Sequence, residues 1–141
     1  MAWELEFIVD PSDEVKDFIY KGLLSFNLPN FPEEEIEKIA CVAKSPQGEI
    51  VGGLTGDIFT NTLFIEYLWL DESQRGSGLG TQLVQMAESK AKEKGVTDIY
   101  LDTYSFQAKD FYLKLGFEIV GKYSGFPTKG VDKYFLQKAV R

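Results

Sequence analysis

The segment Leu68-Trp-Leu-Asp-Glu-Ser-Gln-Arg-Gly-Ser-Gly-Leu-Gly-Thr81 limits what this chain can fold into more than any other. It joins the most strand-like run of the sequence, Leu63–Leu70, to an amphipathic run, Leu79–Lys94, through Gly76, Gly78 and Gly80. The first run is apolar on both faces with one acid, Glu66, as suits a central strand covered on both sides. In the second, Leu79, Leu83, Met86, Ala87 and Ala91 recur on one helical face, and Gly95 stops the helix. A strand that ends, turns on glycines and enters a helix makes a place for an anion. The first N–H groups of a helix have no internal partner, and the helix dipole is positive at that end. Glycine supplies positive φ and lets backbone donors come close to a phosphate. Arg75 can add charge-assisted bonds and Thr81 a hydroxyl.

Two familiar phosphate loops do not fit. A P-loop needs lysine before its Ser/Thr, and Gly80 precedes Thr81. A dinucleotide fingerprint needs a glycine where Thr81 stands. What remains is Arg-x-x-Gly-x-Gly across Arg75, Gly78 and Gly80, read as a pyrophosphate cradle; a glycine connector without a ligand is the alternative.

The rest of the pattern predicts a mixed sheet. Glu4–Val9 reads as an opening strand, and Asp10-Pro-Ser-Asp-Glu as the cap of a helix carrying Val15, Phe18, Ile19 and Leu23 to about Phe26. Pro29 and Pro32 break that helix, and Glu33–Lys38 reads as a second short one. Ile39–Lys44 and Glu49–Phe59 flank a Ser-Pro-Gln-Gly turn and suggest a hairpin; Thr60-Asn-Thr marks the next turn. Asp98–Thr103 reads as a strand, Gln107–Leu115 as a helix ended by Gly116, and Phe117–Lys122 and Lys133–Lys138 as closing strands. The expected class is α/β (α+β), one domain over 1–141.

Charge and composition exclude several chemistries. The chain has 141 residues, net charge −7 and no histidine. An acidic surface disfavours nucleic acid and suits a cationic partner such as an amine. Without histidine there is no Ser-His-Asp triad, Cys-His pair or His-based zinc site, and no metal is expected. Cys41 is the only cysteine, so no internal disulfide forms; in apolar Ile39–Ala43 it reads as a small core residue. Met1–Asp10 lacks the basic start of a signal peptide, and no apolar run is long enough to span a membrane, so a cytoplasmic protein is expected.

The glycine segment resembles the cofactor motif of the GCN5-related N-acetyltransferase (GNAT) superfamily. Asp102-Thr-Tyr-Ser-Phe-Gln-Ala-Lys-Asp-Phe-Tyr-Leu-Lys-Leu-Gly-Phe117 is similar to that family's Ala-x-x-Phe-Tyr-x-x-x-Gly-Phe segment, in the expected order with a helix and strand between. The ending Phe-Pro…Tyr-Phe-Leu-Gln-Lys and the Thr-Tyr-Ser-Phe-Gln-Ala stretch resemble a bacterial subgroup with unassigned acceptors.

The resemblance implies a GNAT-like, mostly antiparallel central sheet of about seven strands with helices on both faces. It implies acetyl-CoA as cosubstrate and direct transfer of acetyl to an amine in a ternary complex. Backbone N–H groups of Arg75, Gly76, Ser77, Gly78, Leu79, Gly80 and Thr81 would hold the pyrophosphate. The splayed strand end, Leu68, Trp69 and Leu70, would bind the pantetheine arm and the acetyl carbonyl, where a fixed N–H stabilises developing negative charge. Tyr112 would be the general acid for the leaving thiolate; a pair of packing aromatics, Phe111 and Tyr112, is the plainer account. At Ser105, seven residues before that tyrosine, many relatives carry Asn; the resemblance places contact with the CoA arm at this position, for which serine lacks an amide's paired donor and acceptor. Glu66 is the candidate base, placed by regular strand parity on the face of Phe64 and Leu68, in apolar surroundings that tune a carboxylate for the role. Water, or a Glu66 paired with lysine, are the alternatives, and Asp57 is a poorer candidate.

The acceptor would enter between Phe26–Phe31 and Tyr123–Lys129, walled by Phe31-Pro32 and Phe126-Pro127. Glu33, Glu34 and Glu35 would attract a cation, or simply open a helix. A small-molecule or peptide amine is the expected acceptor, with no nucleic acid and no membrane as partner; a homodimer stays open. Two rivals remain: a non-catalytic acyl-CoA sensor, and an interaction module whose glycine turn is structural.

Overall fold

The computed structural model describes residues 2–31 and 35–141. They divide into two compact units, Met1–Glu33 and Glu34–Arg141.

The first unit is built on helix α1, Asp13–Asn27. Ser12 caps it as the sequence predicts: its hydroxyl accepts the Val15 N–H at 3.2 Å, with Asp13 and Glu14 in the first turn. The chain leaves α1 through a 3-10 turn at Leu28–Asn30, where Pro29 cannot extend the α-helical ladder. Glu4–Val9 does not form the expected strand. A strand persists only with a ladder partner, and this unit contains no second strand among its described residues.

The second unit holds six strands: β1 (Glu37–Lys44), β2 (Ile50–Phe59), β3 (Thr62–Leu70), β4 (Asp98–Tyr104), β5 (Glu118–Ser124) and β6 (Asp132–Ala139). Their spatial order is β1-β2-β3-β4-β6-β5. Every neighbouring pair is antiparallel except β3 and β4. This is the mixed, mostly antiparallel sheet expected, with helices α2 (Leu79–Glu93) and α3 (Lys109–Lys114) inserted around β4. The predicted hairpin forms over Ser45–Gly48, where the Gly48 N–H donates to Ser45 O at 2.8 Å and Gly48 has φ 85°.

The helix expected over Glu33–Lys38 is a misreading at its described end. Strand β1 begins at Glu37, which pairs with Ile58, and Lys38 pairs with Asp57. Ladder bonds to a formed neighbour outweigh the local signal of clustered acids. Glu33 and Glu34 lie outside the described residues.

One apolar core joins sheet and helices. Leu54, Leu63, Ile99, Leu101 and Leu136 from the strands and Val84 from α2 are almost fully enclosed. Helix α2 presents Leu83, Val84, Ala87 and Ala91 to it, while Met86, expected on that face, is exposed. The rotation of 3.6 residues per turn carries Met86 to the edge of the stripe. No described helix is long and apolar enough to cross a membrane.

Candidate functional site

Two irregularities in the middle of the sheet create the site. The parallel ladder between β3 and β4 runs only from Thr62↔Asp98 to Phe64↔Tyr100, then stops. Beyond it β3 continues for six residues beside β2 alone, leaving one edge of its backbone without a strand neighbour. At that point β3 also carries a bulge: Ile65 pairs with Gly56 and Tyr67 with Thr55, so Glu66 has no partner across the ladder. Gly56 permits this close crossing, since a Cβ there would stand 2.6 Å from the Phe64 carbonyl oxygen.

The diverging strands open a cleft of about 400 Å³. Ile65, Glu66, Tyr67, Leu68 and Trp69 form one wall, Leu101, Asp102, Thr103 and Tyr104 the other, and Gln107, Ala108 and Tyr112 complete it. Thus Glu66, Leu68, Trp69 and Tyr112, singled out from sequence, meet in one place.

The bulge corrects the parity argument. An extra residue flips the alternation, so Leu68 lies opposite Leu54 and packs with Leu70 against the core, not on the face of Glu66. Glu66 is exposed and accepts a hydrogen bond from Thr55 Oγ1 at 3.3 Å. The enclosing apolar surroundings expected for it are absent. Trp69 is half exposed, so at Leu68 and Leu70 the backbone, rather than the side chain, is what the cleft can use.

Tyr112 is enclosed, at 7% exposure, by edge-to-face contacts with Phe111 and Phe117 at 5.1 and 5.6 Å between ring centroids. Its hydroxyl has no hydrogen-bond partner among the described residues. Burial pushes the phenol up to about 12, so it stays protonated at neutral pH.

The glycine turn follows β3. Asp71 opens it: its carboxylate accepts the Ser73 hydroxyl and, at 3.1 Å, the Ser73 N–H. Those bonds from Ser73, aided by Arg75, hold the Asp71 carboxyl below the usual range despite some desolvation. Arg75 Nε donates to Leu70 O at 3.4 Å, and Ser77 Oγ donates to Gln74 O at 2.5 Å. Gly76 and Gly78 have φ of 75° and 87°, a region that L side chains rarely adopt.

Gly78 is the N-cap of α2; it offers no side-chain cap, and no acid stands in the first turn. The first bond into the helix is Gln82 N–H to Gly78 O at 3.1 Å. The N–H groups of Leu79, Gly80 and Thr81 have no acceptor among the described residues. Gly80 is buried because α3 crosses there: a Cβ would meet the Phe111 ring at 3.3 Å. The Leu79 side chain packs against the core and Thr81 is half-buried, so this mouth too is a backbone site.

Ser105 is turned elsewhere. Its N–H donates to Asp132 O at 2.8 Å, and its Oγ accepts the Asp132 N–H at 3.1 Å, tying the loop after β4 to the start of β6. It does not line the cleft. Gln107, not singled out from sequence, does line it, as do Asp102, Thr103 and Tyr104. The Thr-Tyr-Ser-Phe-Gln-Ala stretch holds both residues, and of the two it is Gln107 that faces the cleft. Asp102 lies 3.8 Å from Lys133 Nζ. Phe126, expected on an acceptor wall, packs near Tyr104 and Tyr123, with centroids 6.3 and 5.5 Å away.

Known proteins share this sequence pattern and this fold. The model of the Acetyltransferase (GNAT) family matches residues 8–117. A blasticidin-S acetyltransferase from Streptomyces morookaense is 32% identical over 78% of this chain and 81% of its own length. The crystal structure of an acetyltransferase from Bacillus cereus is 34% identical, covers 95% of this chain and 97% of its own, and superposes with a TM-score of 0.86. An aminoglycoside 6'-N-acetyltransferase complexed with coenzyme A shares the fold at 20% identity, 92% and 93% coverage and a TM-score of 0.66.

Proposed function

The chain belongs to the acetyltransferase (GNAT) family, and from that premise we propose that it moves an acetyl group from acetyl-CoA to the nitrogen of a small-molecule amine in a ternary complex. The observation that carries the proposal is the open mouth of α2. Three consecutive N–H groups without acceptors, at the positive end of a helix, suit a diphosphate, and Arg75 adds a cation beside them. The neighbouring cleft suits the rest of the molecule: a narrow arm can run along the unpaired edge of β3, which offers amide donors and acceptors.

Acetyl-CoA supplies an activated thioester. The chain's residues then have three tasks. The free edge at Leu68, Trp69 and Leu70 holds the arm and aims an N–H at the acetyl carbonyl, where negative charge develops as nitrogen attacks. Glu66, at the solvent side of the cleft, takes the proton that nitrogen loses on forming the new C–N bond, directly or through water. Tyr112 keeps its proton and donates a hydrogen bond to the sulfur as the C–S bond breaks. A phenol near 12 is a weaker acid than a thiol near 8.5, so Tyr112 steadies the thiolate by a hydrogen bond and solvent delivers its final proton.

The net charge of −7 favours a cationic acceptor. The relatives' names, which specify blasticidin-S and aminoglycosides, support a small amine. The family match spans both compact units, which supports one acetyltransferase domain over the whole chain.

The test is a thermal-shift titration with acetyl-CoA, followed by an amine panel read by thiol release. Ligand at a hundred times its Kd should stabilise the fold by about 2.7 kcal/mol, a clear rise in melting temperature. No rise would overturn the proposal in favour of a structural glycine turn. A rise without thiol release from any amine would mark an acyl-CoA sensor.

A further inference from the structure

We propose that Gln107 positions the cosubstrate, its side-chain amide donating to a carbonyl of the pantetheine arm; this rests on the acetyl-CoA reading above. Gln107 lines the cleft that the β3 edge and Tyr112 also line. Its orientation follows from chemistry. A carboxamide has an oxygen that only accepts and a nitrogen that only donates. The Tyr104 N–H can only donate, and it lies 2.9 Å from one end of the amide, so that end is Oε1. The Thr103 hydroxyl donates to the same oxygen at 3.3 Å. With both bonds spent on Oε1, Nε2 is left without an acceptor among the described residues.

Two anchors on a flexible side chain also remove rotamer freedom before any ligand arrives, which lowers the cost of binding. The pantetheine arm carries two amide carbonyls that lose water on entering a cleft and need donors there. The β3 edge supplies backbone groups on one wall. Gln107 supplies a fixed donor from the β4 side, where Ser105, the residue expected to touch the arm, is tied to Asp132 instead.

The proposal predicts which ligand will notice the loss of Nε2. Gln107→Glu keeps an oxygen to accept from Tyr104 and Thr103 but removes the donor. Gln107→Met removes the donor without adding charge. Each variant and the unaltered protein would be titrated calorimetrically with CoA and with 3'-phospho-ADP, the fragment of CoA that ends at the diphosphate. Both variants should bind CoA about tenfold more weakly, the scale of one hydrogen bond, and bind the fragment as the unaltered protein does. The ligand-free melting temperature should fall in Gln107→Met, which loses the loop anchor, and hold in Gln107→Glu. Unchanged CoA affinity in the variants, or equal losses for CoA and fragment, would overturn the role of Gln107 alone. An unaltered protein that binds neither ligand would overturn the acetyl-CoA reading, and this role with it.

Discussion

Two helices of 15 residues each begin in opposite ways. Helix α1 satisfies its own start: Ser12 accepts the Val15 N–H, and Asp13 and Glu14 set negative charge against the positive end of the dipole. Helix α2 does neither. Its N-cap is a glycine in the left-handed region, and its first turn holds no acid. A side-chain cap is worth about 1 kcal/mol, so for stability alone the first arrangement is better. The difference separates a helix start that serves folding from one kept open for a charge from outside. It also explains why the glycines stand where they do. With no Cβ, Gly76 and Gly78 leave backbone exposed at the turn, whereas Gly80 is small because Phe111 leaves no room.

The contrast can be broken by giving α2 what α1 has. In Thr81→Asp a carboxylate enters the first turn of α2. Like charges forced together at a binding site cost several kcal/mol, so CoA affinity should drop about a thousandfold, while the melting temperature holds or rises slightly. Calorimetry and a thermal melt on the same sample check both halves.

The units should also differ in alkali. Glu34–Arg141 buries the Tyr112 phenol, and the first unit has no buried tyrosine among its described residues. Because the folded pKa of Tyr112 is about 12 against an ordinary 10, the two states are equally protonated below pH 10. As pH rises from 10 toward 12 Tyr112 ionises only in the unfolded chain, and its contribution lowers stability by up to about 3 kcal/mol. Denaturant melts at rising pH should show a fall that is shallower in Tyr112→Phe by this amount.

A smaller effect is expected at the α2 cap. Gly78→Ala meets no neighbour within 4 Å, so its penalty comes from φ alone, about 1–2 kcal/mol of stability. If the loop relaxes to avoid the strain, CoA affinity falls too; a variant with full stability and affinity would mean the cap tolerates an ordinary residue. The smallest change is Ser12→Ala, which should cost α1 about 1 kcal/mol by circular dichroism and leave CoA affinity untouched.

Long-period features were legible in the sequence; local irregularities were not. The apolar stripe of Leu83, Ala87 and Ala91, the central place of β3 and the cap at Ser12 are repeated or chemically distinctive, and they stand in the structure; the cover expected on both faces of β3 does not, since Glu66, Tyr67 and Trp69 are exposed. The bulge at Glu66 inserts one residue without any marker of its own, since Gly56, which makes room for it, sits on the neighbouring strand. Parity counted across it therefore put Leu68 on the wrong face. Glu4–Val9 alternates like a strand, but no sequence of a single segment shows whether a partner edge exists. The anchoring of Gln107 is not legible in the sequence, because it depends on a backbone N–H at Tyr104, and main-chain donors are invisible in a string of side chains.

The most direct test follows the amides themselves. In a ¹⁵N-labelled sample titrated with CoA, the N–H resonances of Leu79, Gly80 and Thr81 should move strongly and saturate together, while Asp13 and Glu14 at the start of α1 stay still. Binding that leaves the three α2 amides unmoved, or no binding at all, would contradict the account.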